Sequence, residues 1–250
     1  MKKTNAMGKD KNSEGIVSLS AYIQVLLESI EQEGDIPLSQ RAYFVTKDLI
    51  RNLKLAPGQM ILERELVEVL SMSRTPVREG LVRLEMEGWI KIIPRRGFFV
   101  VDIEPNDIQQ IFEIVEALDE LAISLATTCA KDEDLDRLEQ IIAAQEQALH
   151  EDNLLAWTNL DTLFHEKIMD MAQNPRLKHA RSIQYDHLYR ANLYTIKWRS
   201  KPTFSLLEHR ALLANMRAKE SEAARIMLRT HRMRTVKEIR QALDKIQSQS

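Results

Sequence analysis

Residues 53–100 of the 250-residue chain read LKLAPGQMILERELVEVLSMSRTPVREGLVRLEMEGWIKIIPRRGFFV, and this stretch decides the fold of the amino-terminal part. In this stretch and the segment before it, the apolar residues show helical spacing in three places: around Arg41–Leu53, around Glu63–Leu70 and from about Arg74 to Met86. Gly88 ends the third helix, and two β-prone runs follow, Trp89–Ile93 and Phe98–Val101. The Pro94-Arg95-Arg96-Gly97 segment between them predicts a hairpin. Three helices followed by a hairpin predict a winged helix-turn-helix domain over residues 39–103.

The start of the third predicted helix carries a pair of arginines. Arg74 and Arg78 are four residues apart, so they share one face at the helix N-terminus. In a helix-turn-helix this end enters the major groove, where arginine can bind guanine bidentately or contact phosphate. Residues on the second helix, before the third helix and on the wing could contact the backbone or a groove. The candidate DNA-binding residues are therefore Arg64, Ser73, Arg74, Thr75, Arg78, Arg95, Arg96 and Gly97.

The distribution of charge supports this assignment. The whole chain carries a formal charge of −2, with 35 Lys+Arg against 37 Asp+Glu. Residues 39–103 carry 11 Lys+Arg and 8 Asp+Glu, so the basic excess coincides with the arginine motif. A solvated helix face would explain most isolated Arg-x-x-x-Arg pairs, but here several signals coincide.

Glycine usage separates the rest of the chain from this domain. All seven glycines lie at or before Gly97, so the last 153 residues contain none. Hairpins and phosphate-binding loops need the positive φ that glycine supplies, whereas a helical bundle does not. Apolar spacing predicts six amphipathic helices, at about 107–129, 133–149, 153–172, 175–197, 204–217 and 221–246. The predicted fold class is mainly α, with the winged helix joined to an all-α antiparallel bundle over residues 104–250.

The remaining composition narrows the class of protein. A single cysteine, Cys129, excludes an internal disulfide and a multi-cysteine zinc site. No apolar run reaches the roughly 20 residues that span a bilayer, and the start of the chain lacks the pattern of an export signal. We therefore expect a soluble cytoplasmic protein that does not enter a membrane.

The amino-terminal extension, residues 1–38, contains one further predicted helix. Residues 1 to about 15 are polar and are predicted to be disordered. From Leu19 to Ile30 the apolar residues follow one helix face, and Gly34 and Pro37 end the helix. We expect this face to pack on the same chain or on a second copy. A membrane surface is disfavoured because the polar side lacks Lys and Arg.

Four potential metal ligands lie on apolar helix faces in the second half of the chain. Asp161 and His165 are four residues apart on one predicted helix, while His209 and His231 share faces with apolar residues on two later helices. A bundle interior can bring these side chains together. Three imidazoles with one carboxylate suit a divalent metal, zinc in the first place, with nickel, iron or manganese as alternatives. Each histidine taken singly is more often a hydrogen-bonded core residue.

Residues 53–100 resemble the winged helix of GntR-family bacterial transcription regulators. The similarity rests on Pro57-Gly58, Glu63-Arg64-Glu65-Leu66, Ser73-Arg74-Thr75-Pro76-Val77-Arg78-Glu79, Leu84-Glu85, Glu87-Gly88 and Arg95-Arg96-Gly97. The resemblance implies operator contacts by Arg64, Arg74, Thr75, Arg78 and the wing. It also implies a homodimer on palindromic double-stranded DNA.

With that domain in place, residues 107–240 resemble the helical FCD ligand-binding domain of the FadR-type subgroup. The matching segments are Asp161-x-x-Phe164-His165, Ala172-Gln173-Asn174-Pro175-Arg176-Leu177, Glu208-His209, and Met227 with His231. The resemblance implies that Asp161 and the three histidines bind a divalent metal whose other coordination positions take water or a carboxylate effector. Arg190 and Asn192 are further candidates for binding the effector, or else polar residues at the surface or between helices.

Three places depart from the family pattern. Gly80 stands where the family usually has alanine, which by helix propensity should cost about 1 kcal/mol. Val115 stands where an arginine usually precedes a leucine–glutamate pair, here Leu118-Asp119, so we expect a less cationic or differently arranged effector pocket. Lys219-Glu220 replaces a Gly-Asp turn between the last two helices.

The leading hypothesis is a one-component transcription regulator, usually a repressor in this family, whose operator binding responds to a small organic acid at the metal centre. The first alternative is a metal-dependent hydrolase or lyase with an accessory winged helix. Against it, the sequence offers no unassigned Glu/His pair at motif-like spacing to act as general base. The second alternative is a metal-sensing regulator, in which the ion itself is the signal.

Overall fold

The computed structural model describes residues 11–32 and 34–249. The described residues form two compact units, which adjoin in the sequence between Asp102 and Ile103. The first is a winged helix preceded by one helix, and the second consists of helices. This arrangement confirms the predicted fold class.

The first unit contains four helices and a small sheet. In chain order the elements are α1 (Lys11–Gln32), α2 (Leu38–Arg51), β1 (Met60–Ile61), α3 (Glu63–Val69), α4 (Arg74–Met86), β2 (Ile90–Ile93) and β3 (Gly97–Val100). β2 and β3 form the predicted antiparallel hairpin, in which Ile92 pairs with Phe98. β1 adds an antiparallel strand on the other side of β3, with Met60 opposite Phe99. β1 is not predicted by the sequence pattern, because a two-residue strand has no alternation to detect.

One apolar cluster holds the first unit together. Its most deeply buried members come from α2, α4, the residue before β2 and the sheet: Val45, Leu49, Ile50, Val77, Leu81, Leu84, Trp89 and Val100. α4 contributes residues at three- and four-residue spacing, so one face of this helix is buried and the opposite face is exposed.

α1 packs on the same cluster. Ile23 is buried, and the Tyr22 hydroxyl donates a hydrogen bond to Asp48 of α2 at 2.6 Å. Of the two partners expected for this face, the structure therefore shows packing on the same chain. The helix begins at Lys11, so it includes residues 11–15 of the segment that the sequence predicts to be disordered. Residues 1–10 of the segment predicted to be disordered lie outside the described residues.

α2 and α4 approach each other closely at Gly80. A Cβ atom at this position would lie 2.8 Å from the backbone nitrogen of Tyr43 and 3.0 Å from the carbonyl oxygen of Ser39. Glycine is the residue that permits such a close backbone approach. Glycine in place of the alanine usual in the family therefore has a packing reason, which a helix propensity scale does not take into account.

The second unit contains six α-helices, as predicted, and one short 3-10 turn at Ile196–Trp198. The helices are α5 (Pro105–Cys129), α6 (Asp132–His150), α7 (Leu154–Met171), α8 (Pro175–Thr195), α9 (Thr203–Arg217) and α10 (Ser221–Gln247). α5 packs against α8 and α10, and α6 packs against α7 and α9. In the described part of the chain, every helix is too short or too polar to cross a membrane.

Candidate functional site

The first site lies on the exposed face of α4. Arg74, Thr75 and Arg78 are exposed because the apolar residues of this helix turn toward the core. These three residues line one shallow depression together with Glu79 and with Glu63 of α3. The structure thus brings together three of the predicted DNA-binding residues on one surface.

Two other predicted DNA-binding residues belong to the same helix pair. Arg64 is exposed on α3, and Ser73 is exposed at the residue that precedes α4. The Ser73 side chain makes no capping hydrogen bond to the helix. Its hydroxyl therefore remains available for a phosphate oxygen.

The wing is the turn between β2 and β3. Arg95 has a φ of 65° and Gly97 a φ of 108°, so the chain reverses tightly in the left-handed region that glycine favours. Arg95 and Arg96 are exposed, and the Arg96 guanidinium lies 5.4 Å from the centre of the Phe99 ring. Exposed cations on a tight turn are suited to a groove or to phosphate.

Ion pairing distinguishes the predicted DNA-binding arginines from the structural ones in this unit. Arg41 pairs with Glu31 at 2.9 Å, and Arg83 pairs with Glu87 at 3.2 Å. Among the described residues, the arginines predicted to contact DNA have no carboxylate within ion-pair distance: Arg64, Arg74, Arg78, Arg95 and Arg96. An unpaired cation keeps its charge for the phosphate backbone, which dominates the affinity for DNA.

The second site is a buried group of four side chains in the helical unit. Asp161 and His165 come from α7, His209 from α9 and His231 from α10, and none is more than 6% exposed. One ligand atom from each lies within 4.8 Å of the others. Asp161 Oδ1 lies 3.9 Å from His165 Nε2 and 3.5 Å from His209 Nε2. The four predicted ligands therefore form one group that could bind a metal ion.

Neighbouring oxygen atoms orient two of the imidazoles. His209 Nδ1 lies 2.9 Å from Gln145 Oε1 on α6, and His231 Nδ1 lies 2.7 Å from Glu208 Oε2. An amide or carboxylate oxygen can only accept, so each Nδ1 donates, and in the neutral form of each imidazole Nε2 keeps its lone pair. Arg234 Nη2 donates to Glu208 Oε2 at 2.5 Å and fixes that carboxylate in turn. A ligating histidine typically has such an acceptor on its other nitrogen.

The residues present fit a divalent metal. Within the described structure, the Nε2 atoms of His165 and His209 are buried and have no hydrogen-bond partner. Buried polar atoms without a partner are unfavourable and rare. Three imidazoles and one carboxylate are a donor set of zinc and of related transition metals, and a cation would satisfy both nitrogen atoms.

The protonation states in this group also favour a metal. Burial lowers the pKa of His165 and of His209 well below the usual 6.5, so both imidazoles stay neutral at neutral pH. Burial raises the pKa of Asp161, an effect that a bound cation would oppose. Burial alone would raise the pKa of Glu208, but hydrogen bonds from Arg234 and from the third histidine outweigh it and hold the pKa at about 2. Glu208 is therefore a permanent acceptor.

A second buried charged group lies beside the first and is not predicted by the sequence pattern. Asp119 of α5 is 4% exposed, accepts a hydrogen bond from Arg181 Nε at 2.5 Å and lies 2.7 Å from Arg232 Nη2. Burial alone would raise the pKa of Asp119, but the two guanidinium groups outweigh it and lower the pKa. The sequence did contain a signal for this group. Asp119 lies four residues after Val115 on the apolar face of α5, and a buried carboxylate requires a cation nearby.

A cavity next to the aspartate–histidine group is lined by one cationic side chain, although Val115 stands where the family usually has an arginine. Val115 is fully buried in an apolar cluster. The cavity is lined by Asp161, Asn192 and Arg232, and otherwise by apolar, aromatic and threonine side chains. Arg232 of α10 thus supplies a positive charge to the wall of this cavity, whereas Val115 of α5 supplies none.

The two candidate effector-binding residues on α8 are buried and do not lie at the surface. Arg190 is 3% exposed and Asn192 is 8% exposed. Asn192 lines the cavity described above, and its Oδ1 accepts a hydrogen bond from Arg199. Arg190 is not among the residues that line this cavity.

Comparison with known proteins covers both units. Residues 38–100 match the family described as "Bacterial regulatory proteins, gntR family", and residues 110–234 match the FCD domain. The chain is 30% identical over 210 residues to the HTH-type transcriptional regulator YdhC of Bacillus subtilis, which covers 82% of this chain and 92% of the relative. It is 23% identical over 216 residues to the HTH-type transcriptional repressor RspR of Escherichia coli, which covers 82% of this chain and 90% of the relative.

Solved structures show the same fold. The structure of E. coli McbR/YncC is similar with a TM-score of 0.71 and 23% identity, over 83% of this chain and 99% of that one. A putative GntR regulator from Rhodococcus sp. RHA1 has a TM-score of 0.66 and 17% identity, over 80% of this chain and 96% of that one.

The matching families and relatives are transcriptional regulators and not enzymes, which removes the hydrolase or lyase alternative. The chain belongs to the GntR family of bacterial regulatory proteins, and it is a DNA-binding transcriptional regulator with an FCD domain.

Proposed function

We propose that the chain is a one-component repressor that acts in the cytoplasm as a homodimer on a palindromic operator and releases DNA when a small organic acid binds. The observation that carries the proposal is that one chain combines unpaired arginines around α4 with a buried group that could bind a metal. The proposed division is an extension over residues 1–38, a DNA-binding domain over 39–103, and an effector- and metal-binding domain over 104–250.

The proposed DNA contacts are of two kinds. Arg74 and Arg78 read base edges from the N-terminus of α4, because both are exposed there and unpaired. The others position the protein on the backbone or in the minor groove: Arg64, Ser73, Thr75 and the wing residues Arg95, Arg96 and Gly97. Loss of a base contact should relax sequence preference, whereas loss of a backbone contact should weaken binding to every sequence.

In the helical unit, the proposed metal ligands are Asp161, His165, His209 and His231, and zinc is the first candidate. A divalent ion supplies a Lewis-acidic centre whose open positions accept an oxygen ligand. Asn192 lines the adjacent cavity and offers an amide to an acid held there, and Arg190 is the second candidate on the same helix. The acid releases DNA only if it binds one conformation of the protein better than the other.

Two measurements on the full-length protein test the proposal. Titration onto the DNA upstream of its own gene, compared with a random duplex of equal length at about 150 mM salt, should show specific binding at least about 10³-fold tighter. Equal affinity for both duplexes would contradict operator recognition. Elemental analysis, followed by the same titration with and without chelator, separates the roles of the ion. Zinc at one per chain with operator binding that survives its removal supports the proposal, whereas operator binding switched by the ion alone favours metal sensing.

A further inference from the structure

The charges beside the metal-ligand group do not balance. Asp119, Arg181 and Arg232 are 4%, 3% and 6% exposed, so all three charged groups lie in the interior of the helical unit. Arginine stays protonated in proteins, and the lowered pKa of Asp119 keeps its carboxyl group ionised. Two cations therefore share one carboxylate, and the group carries one positive charge in excess. A buried charge of this kind is unfavourable until an opposite charge compensates it.

Of the two arginines, Arg232 is the one that can offer a donor to the cavity. Arg181 Nε makes a hydrogen bond to Asp119, and its guanidinium stacks on the Tyr185 ring with 3.5 Å between guanidinium carbon and ring centre. Arg232 Nη2 is 2.7 Å from Asp119 Oδ2, and its guanidinium carbon lies 5.3 Å from the centre of the Tyr185 ring, whereas Arg232 Nε has no hydrogen-bond partner within the described structure. Arg181 Nη2 has no hydrogen-bond partner either, but Arg232 is the one of the two arginines that lines the cavity beside the aspartate–histidine group.

Arg232 faces the same cavity as one of the proposed metal ligands. Of the residues that line this cavity, Asp161 is the one carboxylate and Arg232 the one cation. Without a metal, Asp161 is the nearest available counter-charge for Arg232 in the cavity wall. If Asp161 ligates a divalent ion, that centre has a net charge of +1 before any effector binds, and Arg232 keeps its own excess. The cavity wall then presents two positive charges, together with apolar side chains such as Leu188 and Val236.

We infer that Arg232 receives a carboxylate of the effector and that this site selects organic dianions, dicarboxylates of short chain length, over monocarboxylates. The inference rests on the proposed function and names the ligand class of the same site. One carboxylate is taken by the fork of Arg232, whose planar donors match carboxylate geometry. The second negative group lies toward Asp161 and the histidines, and the apolar walls contact the short hydrocarbon body. Asp119 is the positioning residue, because its carboxylate lies 2.7 Å from Arg232 Nη2 and does not line the cavity itself.

The test uses zinc-loaded full-length protein without excess zinc, and malonate, succinate, acetate and propionate as probes. Isothermal titration and thermal denaturation measure binding of each acid. The wild type should bind at least one of the two dicarboxylates at least about tenfold tighter than either monocarboxylate. Arg232→Leu should keep its zinc by elemental analysis and bind that dicarboxylate about 10- to 100-fold more weakly, the usual range for loss of a charged hydrogen bond. Arg240→Gln, on the same helix two turns later and hydrogen-bonded to Gln109, is the matched control and should bind like the wild type.

Three results would overturn the inference: no dicarboxylate preference in the wild type, equal dicarboxylate binding by Arg232→Leu and wild type, or an equal loss in Arg240→Gln. If Arg232→Leu does not fold or loses its zinc, Arg232→Lys decides the matter. Arg232→Lys keeps the charge but not the planar fork, so it should retain the preference with weaker binding; unchanged affinity would overturn the role of Arg232. Operator binding is measured separately on the acid-free protein, so the proposed function and this inference can fail independently.

Discussion

Gly80→Ala should destabilise the winged helix, although alanine is the better helix former. In an exposed helix this change would stabilise the protein by about 1 kcal/mol. Here the new Cβ would lie 2.8 Å from the nitrogen of Tyr43 and 3.0 Å from the oxygen of Ser39, and both are backbone atoms of α2 that cannot rotate away. Carbon atoms pack at about 3.5–4.0 Å, so α2 and α4 would have to separate by roughly half an ångström or more.

The expected size of the effect follows from two opposing terms. Overpacking a close-packed interior costs about 1–3 kcal/mol, and the gain in helix propensity returns about 1 kcal/mol. We expect a net loss of about 1–2 kcal/mol, which makes the open state of this unit about 5- to 30-fold more populated. Hydrogen–deuterium exchange of the full-length protein measures this locally. Amides of α2 and α4 should exchange faster by that factor, and amides of α6 and α7 should not change.

Glu79→Ala is the control, because Glu79 is exposed on the same turn of α4 and does not face α2. It should leave exchange in α2 unchanged. Slower exchange of the α4 amides in Gly80→Ala than in the wild type, the behaviour of an exposed helical glycine, would refute the packing argument.

Arg78→Ala should weaken operator binding by about 1–3 kcal/mol if this residue reads a base, whereas Arg83→Ala, which removes an ion-paired arginine from the same helix, should have little effect. Fluorescence anisotropy compares the two, and equal losses would contradict the assignment. Gln145→Ala should weaken zinc retention by about 10- to 100-fold, because His209 loses the acceptor that fixes its tautomer; competition with a chromogenic chelator measures it, and unchanged retention would argue against that role. Folding lowers the pKa of His165 and of His209, so below about pH 6.5 the unfolded state binds their protons first. The stability of chelator-treated protein should therefore fall as the pH drops from 6.5, by up to about 1.4 kcal/mol per pH unit for each histidine. Urea denaturation at pH 7.5, 6.5 and 5.5 tests this, and a rise in stability over that range would contradict it.

Local patterns were sufficient for most of the helices. The last helix was predicted at 221–246 and extends over Ser221–Gln247, because its apolar face and the polar segment before it are both visible in the sequence. The same periodicity placed Asp161 and His165 on one inward face. It could not show that α9 and α10 bring their histidines to the same point, since periodicity gives the face of a helix and not its partner.

Long-range partners account for what the sequence did not reveal. Arg181 bonds to Asp119 across 62 residues, and His209 bonds to Gln145 across 64. Neither pair has a local spacing that a sequence pattern could detect. Gly80 illustrates the same limit, because a propensity scale records only the cost of glycine inside a helix, whereas the benefit lies in the distance to another helix.

Glu208 connects the helices that carry two of the histidines, with consequences for the ion. It accepts hydrogen bonds from His231 and Arg234 of α10 while it precedes His209 on α9. The surrounding apolar cluster, which includes Phe164 and Leu212, does not depend on any ligand. In a zinc finger the ion supplies the folding energy, whereas here buried apolar contacts join the helices that carry the ligands. We therefore expect the helical unit to stay folded when a chelator removes its ion, so that metal content and folding can vary separately in this protein.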